Sequence, residues 1–159
     1  EKSVRLKNLL DENYCYTTMQ DYFLMEKTKE PAYEVLRGFM GDINSGLERE
    51  GFFVRSEISF GHSEILVQRD AVARVFGNLM SNIIKYASKE DEVLVCCGEQ
   101  DKYVVVTAVN KVRVFEGEKP ESTGFGSWIS KRLMEEMGGD YSTEESGGFF
   151  TTTLRFLKT

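Results

Sequence analysis

The chain has 159 residues, 41% hydrophobic and 29% charged, a balance that suits one folded domain and excludes an intrinsically disordered segment. Its net charge is −6 at pH 7 and no Lys/Arg cluster occurs, which argues against nucleic acid as a partner. No apolar run approaches the roughly 18 residues that a bilayer-spanning helix needs, so no membrane contact by this segment is expected.

The chain begins at Glu1, without Met or a signal peptide, and is read as a segment of a longer protein. Residues 3–26 hold no Gly or Pro, and Leu9, Tyr16 and Phe23 recur every seven residues with Leu6 and Met19 beside them. That spacing predicts a helix with a packing face, either an ordinary amphipathic helix or a bundle helix. "KTKEP" breaks the pattern at Pro31. A second helix is predicted from Ala32, with Val35, Leu36, Phe39, Met40, Ile43 and Leu47 on one face and Gly51 as its stop. "FFVRSEISF" and "SEILVQRD" read as strands.

A third helix is predicted over 70–91, with Asp70 as N-cap and an apolar face built on Val72, Val75, Phe76, Leu79, Met80, Ile83 and Ile84. Then "EVLVCCGEQDKYVVVTAVN" reads as two strands joined at "GEQDK". Its adjacent Cys96 and Cys97 point to opposite faces of a strand. With Cys15 they make an odd count of three, read as free thiols in a reducing compartment. "KVRVFEGEKPESTGFG" reads as a loop, "SWISKRLMEEMGG" as a helix stopped at Gly138–Gly139, and "DYSTEESGGFFTTTLRFLK" as a hairpin turning within Glu144–Gly148. The fold class expected is α+β: a two-layer sandwich in which a mixed, mostly antiparallel sheet is covered on one face by about three helices, with the N-terminal helix appended.

Two stretches carry candidate chemistry. "NLMSN" puts Asn78 and Asn82 one helical turn apart, and Lys85 almost one turn further on the same face. Carboxamide oxygens can ligate Mg²⁺ and a lysine can meet phosphate, although a solvated polar helix face would look the same. "TGFGSWIS" places G-x-G directly before a helix, which offers free backbone N–H groups and a positive dipole end to a phosphate. The same glycines also suit an ordinary loop.

Together, and in this order, the two stretches resemble the ATP-binding catalytic domain of sensor histidine kinases, in the GHKL (Bergerat-type) family shared with gyrase, Hsp90 and MutL. "RDAVARVFGNLMSNIIKYAS" is similar to the family's N box, N-L-x-x-N-A-x-K-Y. "TGFGSWISKRLMEEMGG" is similar to its second glycine box, G-x-G-L-x-I-x-K. "RLKNLLDENYCYTTM" resembles the end of the dimerisation-domain helix that feeds this fold.

The resemblance implies two regions, residues 1–28 as the end of that helix and 29–159 as the catalytic domain. It implies ATP and Mg²⁺ held between helices under a lid: Asn82 and Asn78 at the metal, Lys85 at a phosphate, Tyr86 on the nucleotide pocket, and Thr123, Gly124 and Gly126 at the triphosphate. It implies transfer of the γ-phosphoryl to a His elsewhere in a homodimeric parent, a response regulator as a further partner, and a cytoplasmic domain of a membrane-anchored bacterial sensor. The one histidine of this chain, His62, lies in the loop "SFGHSEI" and is read as an exposed loop residue.

The first glycine box of the family, D-x-G-x-G, is altered. Asn110 stands at the Asp place, where an adenine amino group is accepted, and Val112 and Val114 stand at the two Gly places. Only the 13 residues 111–123 separate Asn110 from Gly124, which makes a short lid. Ser127 replaces the Leu after the second glycine, and Trp128 follows it, placed either in the core or against the pocket. Glu90, Asp91 and Glu92 are read as a solvated turn. The departures support a second reading, a degenerate domain that keeps the fold and serves as a regulatory or docking module.

Overall fold

A computed structural model describes residues 26–59, 61–117 and 124–159. The helix expected over 3–26, all but its last residue, and the candidate Thr123 lie outside those residues. Among the described residues, three helices and seven strands follow in the order β1 (Thr28–Pro31), α1 (Ala32–Arg49), β2 (Val54–Ser59), β3 (Glu64–Val67), α2 (Arg69–Tyr86), β4 (Val93–Gln100), β5 (Tyr103–Lys111), α3 (Phe125–Glu136), β6 (Asp140–Ser146), β7 (Phe149–Leu157).

The main sheet has the order β2-β4-β5-β7-β6; β2 and β4 are parallel and every other pair is antiparallel. The expected α+β two-layer architecture is therefore the observed one. Alternation decides the layers. Val93, Val95 and Cys97 on β4, Val104, Val106 and Ala108 on β5, and Leu154 and Phe156 on β7 are buried against the helices. Leu94, Cys96, Val105 and Val109 turn to the other face and are half-buried. The helices return the matching stripes: Val35, Leu36, Met40, Ile43 and Leu47 on α1, Val72, Val75, Phe76, Leu79 and Ile83 on α2.

The helix stops follow the glycines. After α1, Gly51 takes φ 93°, and the N–H groups of Gly51 and Phe52 donate to Glu48 O and Leu47 O at 3.0 Å each. After α3, Gly138 takes φ 81°, and the N–H groups of Gly138 and Gly139 donate to Glu135 O and Met134 O at 2.9 Å each. Both are Schellman closures, in which a left-handed residue turns two N–H groups back onto orphan carbonyls.

Three local expectations are corrected. "KTKEP" is not only a break, since Thr28–Pro31 pairs antiparallel with β3 in a separate two-stranded sheet. Tertiary pairing there outweighs the weak strand propensity of Lys, Glu and Pro. The cap of α2 is Gln68, whose side-chain oxygen accepts from Ala71 N–H, and Asp70 sits inside the first turn, where its charge suits the positive helix end. The last hairpin turns at Gly147–Gly148, both left-handed, so Glu144 and Glu145 belong to β6 and are not turn residues. Among the described residues no helix is long and apolar enough to cross a membrane.

Candidate functional site

The face of α2 that carries Asn78, Asn82 and Tyr86 does not point to open solvent. Asn78 is half-buried against α3: its Nδ2 donates to Gly126 O and to Ser130 Oγ, at 3.3 Å each. Asn78 thus ties the helix holding "NLMSN" to the start of the helix holding "TGFG". Gly126 lies in the first turn of α3, where a Cβ would meet Asn78 Cγ at 3.8 Å, so the two segments are in direct contact.

Gly124 is the N-cap of α3 and adopts φ 74°, ψ −2°, a left-handed conformation natural to glycine. It offers no capping side chain, and the first turn of α3 carries no acidic residue. The positive end of α3 therefore has no carboxylate of its own helix upon it, which suits an approaching anion.

One turn beyond Asn78, Asn82 faces a cavity of about 100 Å³ between α2 and the sheet. Leu79, Ile83 and Tyr86 form its helix wall, and Asn110, Val112 and Thr152 part of its sheet wall. Asn82 makes no side-chain hydrogen bond among the described residues and is half-buried. Its carboxamide oxygen is thus a hard donor free for a ligand. Those properties fit a Mg²⁺ that keeps most of its waters and takes its remaining ligands from substrate phosphate. Asn78, with its amide group committed to α3, keeps only its oxygen for such a role.

Asn110 is 5% exposed at the end of β5. Its Nδ2 donates to Lys111 O at 3.3 Å, which leaves Oδ1 as the free acceptor. The segment after it explains how valines are accommodated at the glycine places. Val112 N–H donates to Gly148 O at 2.8 Å, and Val112 bridges antiparallel to Ala87 just past the end of α2. Asp101 is the one non-glycine residue with positive φ among the described residues, so neither Val112 nor Val114 is left-handed. Val112 itself sits in a β-bridge, a setting that β-branched residues favour. Val112 lines the cavity, and Val114 is 89% exposed.

Arg113, between the two valines, closes the C-terminus of α2. Its N–H donates to Tyr86 O at 2.7 Å and its guanidinium to Lys85 O, satisfying two carbonyls that the helix leaves open. The guanidinium carbon lies 4.5 Å above the Phe115 ring, and Phe115 meets the Tyr86 ring edge-on at 6.4 Å between centroids. Tyr86 is thereby held on the cavity wall. The Lys85 side chain is exposed.

Asn78, Asn82, Tyr86, Asn110, Gly124 and Gly126 are thus gathered around one region. Sequence reasoning missed Arg113, Glu145, Phe150 and Thr152. The last three line the cavity from the final hairpin. The hairpin itself was legible, but which of its faces meets α2 was not. Trp128 is 42% exposed and does not line the cavity, so it neither joins the core nor crowds the site. His62 is exposed in the β2–β3 loop, where it borders a larger and separate cavity of about 710 Å³ with Tyr33 and Glu34. Asp91 and Glu92 form exposed ion pairs with Lys111 and Arg55, as suits a solvated turn. Cys97 is buried, and burial pushes its thiol up to about 12; both Cys96 and Cys97 are free.

Comparison with known proteins places this geometry. Residues 67–158 match the family described as histidine kinase-, DNA gyrase B-, and HSP90-like ATPase. Sensor histidine kinase YrkQ of Bacillus subtilis (strain 168) is 25% identical over 158 residues, 99% of this chain and 36% of that protein. The chain therefore spans little more than a third of the length of that curated relative. The catalytic domain of histidine kinase ThkA superposes with a TM-score of 0.68 at 17% identity, over 85% of this chain and 99% of that one. Histidine kinase AdeS of Acinetobacter baumannii gives 0.69 at 12% identity, over 96% and 78%. These structures share the fold.

Proposed function

The chain belongs to the histidine kinase-, DNA gyrase B-, and HSP90-like ATPase family, an ATP-binding domain family, and from that premise we propose that it is the catalytic domain of a two-component sensor histidine kinase that binds ATP with Mg²⁺ between α2, α3 and the sheet. One observation carries this reading: Asn78 joins the N-box helix to the Gly124–Gly126 helix start, beside a cavity walled by Asn82, Tyr86 and Asn110.

In this reading Asn110 Oδ1 accepts from the adenine amino group and Tyr86 flanks the base. Asn82, with the oxygen of Asn78, holds Mg²⁺, which when bound neutralises phosphate charge. The N–H groups at Gly124 and Gly126, with Lys85, face the triphosphate. The domain contributes positioning and charge complementarity and no nucleophile of its own. An imidazole nitrogen of a His elsewhere in the parent attacks the γ-phosphorus. The bond to the β–γ bridging oxygen breaks, ADP leaves with the electron pair, and the imidazole proton passes to solvent.

The boundary expected between residues 1–28, the end of the dimerisation-domain helix, and 29–159, the catalytic domain, would then fall just before Thr28, which already belongs to β1 and pairs with Val67. The phosphoacceptor domain of a homodimeric, membrane-anchored parent and a response regulator are the partners that this role requires. Calorimetry of the folded protein with a non-hydrolysable ATP analogue and Mg²⁺ tests the reading. Binding that Asn82→Ala weakens supports it, and no heat at millimolar nucleotide refutes it.

A second reading is favoured by the cavity itself. At about 100 Å³ with Val112 in its wall, it is below the roughly 300 Å³ at which ligand pockets begin. A domain that has given up ATP would serve as a docking module. It predicts that Asn82→Ala leaves signalling by the parent protein unchanged.

A further inference from the structure

Among the described residues that line the cavity, Glu145 alone is charged, and it belongs to none of the three motifs. Strand register fixes its place. Asn110 on β5 pairs with Phe150 on β7, and Phe150 pairs with Glu145 on β6. The three residues therefore stand in one cross-strand row and share the helix-facing side of the sheet. With strands about 4.8 Å apart, the backbones of Asn110 and Glu145 are about 10 Å apart, with Phe150 as the floor between them.

The direction of the row is informative. α3 leads into β6 through the tight turn at Met137–Gly139 and packs back along that strand, and Lys131 Nζ reaches Tyr141 O at 3.5 Å. The start of α3 at Gly124–Phe125 is thus carried toward the far end of β6, where Glu145 sits. A nucleotide with its base at Asn110 and its phosphates at the α3 start has its sugar over the Glu145 end of the row.

A carboxylate repels phosphate, and Asn110 already serves the exocyclic amine. The neutral donors left on the nucleotide are the sugar hydroxyls, and a carboxylate with two acceptor oxygens suits a vicinal diol. Building on the ATP reading of this site, we infer that Glu145 accepts hydrogen bonds from the ribose 2′- and 3′-hydroxyls of the bound nucleotide. It thereby sets a preference for ribonucleotides over deoxyribonucleotides.

The test compares dissociation constants of ATP, 2′-deoxy-ATP and 3′-deoxy-ATP, each with Mg²⁺, for the wild type, Glu145→Ala, Glu145→Gln and Glu144→Ala. The wild type is expected to bind ATP about tenfold more tightly than the weaker deoxy analogue, the value of one hydrogen bond to a charged acceptor. Glu145→Ala removes that preference by weakening ATP, which loses both hydrogen bonds, more than either deoxy analogue, which loses one. Glu145→Gln keeps part of it, because an amide oxygen still accepts. Glu144→Ala leaves it intact, since Glu144 pairs with Thr151 and points to the opposite face. Glu145 is exposed, and an unchanged melting temperature shows the variants folded. Equal binding of all three nucleotides by the wild type, or equal weakening of all three by Glu145→Ala, overturns the Glu145 assignment alone. Failure of the wild type to bind ATP overturns the ATP reading and this one with it.

Discussion

Val112→Gly restores the first glycine of the D-x-G-x-G pattern and separates stability from binding. Val112 is half-buried and lines the cavity. Its removal forfeits about 1 kcal/mol of apolar burial, half the value of a fully buried valine. The freedom of glycine in the unfolded chain costs a further 0.5–1 kcal/mol or so. The backbone bond from position 112 to Gly148 O survives the change. A loss of about 2 kcal/mol lowers the melting temperature by roughly 4–8 °C at this chain length.

Binding moves the other way. A base pressed against an intruding isopropyl group behaves like an overpacked core, at about 1–3 kcal/mol, and relief of that crowding tightens ATP by roughly 5- to 150-fold. Val114→Gly is the control: at 89% exposure it should change stability by no more than about 0.5 kcal/mol and leave affinity untouched. Calorimetric titration with an ATP analogue and Mg²⁺, beside a thermal melt, reads both quantities. If Val112→Gly loses stability without gaining affinity, or if the two variants behave alike, Val112 does not limit the cavity and the reasoning fails.

The two asparagines of the N box should part company. Asn78→Ala removes two bonds to α3 and is expected to cost about 1–3 kcal/mol in denaturant unfolding, whereas Asn82→Ala should unfold like the wild type and lose Mg²⁺-dependent nucleotide binding. Cys97 should resist a thiol reagent at neutral pH until denaturant is added. Because its folded value is raised to about 12 from an ordinary value near 9, the linked stability is intact below pH 9 and declines from there toward pH 12. A melting temperature flat across that window in the wild type, relative to Cys97→Ala, would refute this linkage. Glu30, held below its usual value first by its hydrogen bond from Arg69, contributes above the usual carboxylate range and loses that contribution as acid protonates it. The pH profile of Glu30→Gln should therefore converge with the wild type in acid.

The sequence by itself determined the elements and the buried face of the helices. Apolar spacing on α1 and α2 encodes which side of each helix loses water, and this signal is local, whereas β4 and β5 are near-continuous apolar runs whose buried face only packing decides. Gly51 and Gly138 marked the helix ends because a left-handed closure is cheap only for glycine. The pairing of "NLMSN" with "TGFG" pointed to the candidate site, since the order of residue types survives even where the first glycine box does not. What sequence could not supply depends on elements distant in the chain. The strand at Thr28–Pro31 exists because β3 offers it partners. The cap at Gln68 won over Asp70 because the helix begins at Arg69, two residues before an Asp70 cap would start it. Arg113 closing α2, Asn78 bonded to α3 and Glu145 in the row of Asn110 were settled by tertiary register. In a sheet, the residue opposite a given side chain is fixed by pairing across strands, and no local pattern records it.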